Sequence, residues 1–158
     1  MANLVFVRSA GRVTELAERV NSNDPANAVF EVVVLATAGI ESDAVLRIID
    51  DFAALVAGTT NYVTNAGYAV KVLDQTAGIT VVYDDTNFRT DVDIADQTWT
   101  AVASGDGWND VVTGYDPDST AGTTTDASVR PMTLHDFVLT PDGSDITAQV
   151  AVFFRAQT

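Results

Sequence analysis

The chain has 158 residues, no cysteine, a single histidine and a net charge of −14 from 22 acidic and 8 basic groups. Disulfides, thiolate metal sites and cysteine nucleophiles are excluded, and so negative a chain lacks the basic patch that phosphate-led nucleic-acid binding needs. The length suits one domain, residues 1–158, able to bury roughly two-thirds of its unfolded surface. No apolar run approaches the ~20 residues of a membrane-spanning helix. The first residues carry no basic region followed by a long apolar stretch, so they do not read as a signal peptide.

Residues 3–7, NLVFV, form a short apolar run that predicts an edge strand, or an N-terminal arm over residues 1–10 that docks elsewhere. Val5 and Phe6 are its interface candidates. Val13, Leu16, Ala17 and Val20 then recur at helical spacing, with Arg12, Glu15, Glu18 and Arg19 on the opposite face. That is a short amphipathic helix, covering its own sheet or lying on a partner. Asn and Asp before Pro25 end it.

Residues 28–37, AVFEVVVLAT, are nearly continuous in apolar, β-branched residues and predict a central, buried strand. Glu31 interrupts the run and is expected at its exposed end. Residues 42–58 return to helical periodicity, with Ser42 or Asp43 as a cap and Gly58 as a stop. The adjacent Asp50 and Asp51 are poor helix interior and predict a break. Adjacent helical side chains diverge by about 100°, so the pair does not converge on one atom as catalytic carboxylates must.

Strands follow at residues 66–73 and 79–83, with turn chemistry at residues 84–87. Residues 83–116 hold both tryptophans and read as two strands joined by the glycine-rich turn at 104–107, a hairpin signal. Trp99, among Val92, Ile94 and Val102, is expected in the core. Trp108, after the glycines, is expected at a loop tip, where with Tyr115 it is a contact candidate. Residues 119–128 are small and polar and predict a long exposed loop. Residues 129–140 and 146–155 predict the last strands, with Phe153 and Phe154 breaking the alternation as further interface candidates.

Chemistry is sparse. His135 precedes Asp136, but neighbouring strand residues point to opposite faces, so they are no triad pair. No Gly-x-Ser-x-Gly elbow is present. Asp91, Asp93 and Asp96, and Asp116 with Asp118, are oxygen donors of the kind calcium takes. Neither group has the EF-hand pattern, and both read as solvated acidic rims. Gly105 and Gly107 have no helix or basic residue behind them and read as a turn, not a phosphate cradle. The expectation is therefore no enzyme, no cofactor and no metal.

Taken together, these elements predict a mainly β, two-sheet antiparallel sandwich, jelly-roll-like, with one or two short helices in the N-terminal third. Several phrases carry a resemblance: GRVTELAERVNSNDPANA, VVVLATAGIESDAVLRIIDDFAALVAG, DDTNFRTDVDIADQTW and RPMTLHDFVLTPDGSDITAQVAVFFRA. Together they resemble a family of small structural proteins of tailed bacteriophages. The resemblance implies a decoration (cement) protein on the outer capsid surface, assembled in the host cytoplasm. Its partners would be the major capsid protein and further copies of itself in a trimer or dimer, with no nucleic acid and no membrane. A tail or fibre component binding a receptor or carbohydrate is the alternative. The family transfers no catalytic residue.

Overall fold

The computed structural model describes residues 3–120, 125–150 and 152–157. Its centre is an antiparallel five-stranded sheet. In spatial order it runs β1 (Leu4–Val5), β8 (Arg130–Leu139), β7 (Trp108–Asp116), β2 (Val29–Ala36) and β3 (Lys71–Leu73). All eight residues of β2 and all nine of β7 are buried. That requires cover on both faces of the sheet, and it explains why the β2 sequence is a nearly unbroken apolar run.

On one face lie Phe30, Val32 and Val34, packed against α1 (Val13–Ser22) and two small antiparallel ladders. One ladder orders β10 (Phe154–Gln157), β5 (Arg89–Asp93) and β4 (Thr80–Asp84); the other pairs β6 (Gln97–Trp99) with β9 (Ile146–Ala148). On the other face, Val33, Leu35, Val112 and Leu134 meet Leu46 of α2 (Asp43–Leu46) and Phe52 and Leu55 of α3 (Phe52–Leu55). The alternation of the strand period divides one sequence between two cores. Gly114 permits the close approach of the second layer. A Cβ there would sit 2.5 Å from the Phe52 ring and 2.6 Å from Val129.

The mainly β, antiparallel sandwich is thus the observed architecture, and α1 buries Val13, Leu16, Ala17 and Val20 as its spacing requires. The expected break between α2 and α3 is also present. Asp51 accepts a hydrogen bond from the Ala54 amide at 2.7 Å as the cap of α3, and Asp50 receives the Arg8 guanidinium at 2.6 and 2.9 Å.

The apolar run at residues 3–7 forms the edge strand that is one of its two expected readings: Leu4 and Val5 pair with Leu134 and Thr133, and Phe6 is fully buried. Two expectations are corrected. The strands flanking the turn at 104–107 do not form a hairpin, because β6 pairs with β9 while β7 lies between β2 and β8. The turn instead carries the chain between layers, and Gly107 hands its carbonyl to the Thr37 amide at 2.8 Å. Glu31 is not at an exposed end; it is only 8% exposed in mid-strand, opposite Gly114. Phe88 precedes its strand and closes the preceding turn, with φ of +51°. Residues 121–124 of the predicted 119–128 loop lie outside the described residues.

Candidate interaction surface

The aromatic contact candidates turn inward. Trp108 is fully buried and stands edge-on to Trp99, with ring centroids 5.2 Å apart at 86°. Tyr68 stacks on Trp99 and meets Trp108 by its edge. Each indole N–H has a partner: Trp99 donates to the Ala69 carbonyl at 2.7 Å, Trp108 to the Asn65 side-chain oxygen at 3.0 Å. Asn65 is held in turn by donating to the Ala103 and Asp106 carbonyls. The glycines before Trp108 suggested a loop tip, but they end at the first residue of a doubly covered strand. Burying an indole requires such a partner, and the sequence does not display Asn65 as one.

Phe6, Tyr115 and Phe153 are buried as well, at 0%, 7% and 4% exposure. Phe153 tilts against Phe30 at 6.2 Å and against His135 at 5.6 Å. Val5 and Phe154 are half-buried and pack on the core edge. The predicted interface set is therefore mostly core, and the Trp108–Tyr115 aromatic platform does not form.

Exposed aromatic surface lies instead on the β4–β5 hairpin. Phe88 is 72% exposed and Tyr83 59%. They line an open hollow of about 510 Å³ with Asp84, Asp85, Arg89, Thr90, Ala156 and Gln157. The floor follows from register, since Tyr83, Thr90 and Ala156 face one another across three strands. These positions continue the row of Val81 and Val92 beyond the edge of the core. The Tyr83 hydroxyl donates to Glu18 of α1.

The hairpin is stiffly built. Asp84 accepts from the Thr86 amide at 3.2 Å, the Asn87 amide at 3.1 Å and the Asn87 side chain at 2.7 Å. These bonds, with Asn87 foremost, hold the Asp84 carboxyl below its ordinary range. On the other side of the sheet Arg89 Nε stands 3.2 Å from Asp84 and 3.3 Å from Asp91, and Arg155 grips Asp91 at 2.6 and 2.9 Å. The turn keeps Phe88 in a left-handed backbone conformation that is rare for a bulky residue. The one trace in the sequence is an aromatic placed directly after turn residues.

His135 and several acidic side chains make hydrogen bonds within the fold. His135 Nε2 pairs with Thr133 Oγ1 at 2.9 Å, and that hydroxyl with Thr113 Oγ1 at 2.7 Å, inside the sheet. Burial lowers the His135 pKa. Asp93 and Asp96 accept from the Ile94 and Val150 amides, and Asp116 from that of Asp118. No group of three or more acidic or histidine side chains among the described residues is arranged to hold a metal ion. Glu31 shares its sheet face with Asp116, and burial followed by repulsion from Asp116 and Asp126 raises its carboxyl to about 7. Comparison with family models, curated proteins and solved structures returns no match, so the geometry of this surface stands without a relative.

Proposed function

We propose that this chain is a virion structural protein of a tailed bacteriophage that binds the outer capsid surface as a decoration protein and stabilises the head. The observation that carries this reading is the exposed aromatic hollow at Tyr83 and Phe88, built on a stiff hairpin of an otherwise acidic sandwich. Exposed aromatics on a rigid scaffold are a protein-contact feature, and the resemblance carried by residues 11–28, 32–58, 84–99 and 130–156 supplies the virion context. The major capsid protein is the partner in this reading. The protein acts as a trimer or dimer, assembled in the host cytoplasm, and performs no catalysis. Trp108 and Tyr115, the aromatic contact candidates that a tail or fibre role could use, are internal.

Cryo-electron microscopy of intact particles tests the proposal. Density for this sandwich on the capsid surface is the expected result; density confined to the tail tip refutes decoration. Light scattering at high protein concentration tests the oligomer, which a strict monomer refutes.

A further inference from the structure

On a chain with only 8 basic groups against 22 acidic ones, Arg12, Arg19 and Arg130 meet in one place. They line an open hollow of about 260 Å³ between α1, the end of β7 and the start of β8. We propose that this hollow binds a carboxylate carried on a short aliphatic stem, such as a glutamate side chain or a small dicarboxylate. The inference goes beyond the decoration reading and does not depend on it.

The two periodicities of the fold bring the guanidiniums together. Arg12, at the N-cap of α1, and Arg19 lie about two helical turns apart and share one stripe of the helix. Arg130 stands opposite Tyr115 across the β7–β8 ladder, on the sheet face that α1 covers. Arg19 lies beside Tyr115 and so closes the set.

The donors of this set are only partly used. Glu15 takes Arg12 through Nε and one terminal nitrogen at 3.1 and 3.2 Å, and Arg19 through Nε at 2.9 Å. Glu15 itself does not line the hollow. The half-buried Arg130 side chain makes no hydrogen bond or ion pair among the described residues, so its whole fork is open. Guanidinium forks match a carboxylate edge to edge, and such charge-assisted pairs are about twice as strong as neutral hydrogen bonds.

The surrounding charges choose between oxyanions. Glu15 is bonded to two of the arginines, and Asp24 and Asp116 act on Arg19 and Tyr115 from farther off. Their repulsion weighs more on a doubly charged phosphate than on a single carboxylate. Pro25 and Pro117 give the walls apolar surface for a methylene stem. The other basic groups are scattered. Arg8 is held on Asp50, Arg89 and Arg155 on Asp91, and Lys71 lies over the Trp99 ring. Arg47 is exposed at the end of α2, on the opposite face of the central sheet.

Arg130→Gln removes the open fork without breaking an ion pair, and Arg47→Gln makes the same change of net charge on the other face. Thermal melting should show both variants folded as wild type. Glutarate, inorganic phosphate and hexaglutamate are each titrated into labelled protein at constant ionic strength, with NMR of the backbone amides and the arginine Nε–H groups. Glutarate should shift the side chains of Arg12, Arg19 and Arg130 with a Kd of about 1 mM or tighter, the scale of two charge-assisted pairs. Arg130→Gln should weaken this tenfold or more, and Arg47→Gln should leave it unchanged. Hexaglutamate binding tighter than glutarate identifies an acidic protein segment as the source of the carboxylate; binding no tighter identifies a free small carboxylate, and either result supports the site. Phosphate binding tighter than glutarate overturns the carboxylate assignment. Absence of glutarate shifts at these three arginines in wild type, or equal loss in both variants, overturns the site.

Discussion

Replacing Glu31 by glutamine should stabilise this protein above neutral pH and leave it unchanged in acid. Glu31 is 8% exposed in a fully buried strand, with its carboxyl raised from 4.5 to about 7 by burial and then by Asp116 and Asp126. The folded state therefore holds this proton after the unfolded chain has released it. Below about pH 4.5 both states are protonated, and the residue carries no ionic penalty. Between about 4.5 and about 7 the penalty accumulates as pH rises, and above that it is constant. At about 1.4 kcal/mol per pH unit the full penalty is roughly 3 kcal/mol, a large share of a typical domain's stability. Glutamine keeps the shape and removes the charge. Urea unfolding of both proteins at pH 4 and pH 8 gives the comparison, read as the difference between wild type and variant so that other titrating groups cancel. The expected gain is roughly 2–3 kcal/mol at the higher pH, or about 5–10 °C in Tm for a domain of this size, with little change at the lower. An equal effect at both pH values, or a loss at the higher one, refutes the reasoning.

Gly114→Ala should destabilise by about 1–3 kcal/mol or more, because its methyl group would overlap the Phe52 ring and Val129; unfolding midpoints near wild type would show that the outer layer yields. Asn65→Ala should cost about 1–3 kcal/mol by leaving the buried Trp108 N–H without an acceptor. Denaturant titration measures it, and a change within experimental error would mean the indole finds another partner. Glu15 lies between Arg12 and Arg19, whose hydrogen bonds hold its carboxyl at about 2. An NMR titration should find that midpoint, and it should rise when both arginines are replaced by glutamine.

Elements whose partners are local were legible. The spacing of Val13, Leu16, Ala17 and Val20 defines α1 and its buried face, and the two aspartates at 50 and 51 mark the break before α3. The apolar run of β2 announces burial on both faces. The turn at residues 84–87 is also local, since Asp84 bonds amides two and three residues on. What it does to Phe88 was not legible, because an aromatic beside a turn is equally compatible with a strand's first core residue.

The alphabet of strands and turns, the acidic charge and the missing cysteine follow from the sequence itself, because each depends on a residue and its near neighbours. Which strands pair, and so which aromatics face solvent, is decided only by the tertiary structure. Trp108 leaves its expected loop tip for the core for that reason, while Phe88 stands exposed. A strand's neighbours across the sheet are dozens of residues away in the chain, and it was Asn65 and Tyr68, together with the layer beneath, that made Trp108 internal. The row that carries Tyr83 runs past the edge of the core, and only the register of β4, β5 and β10 reveals where that edge falls.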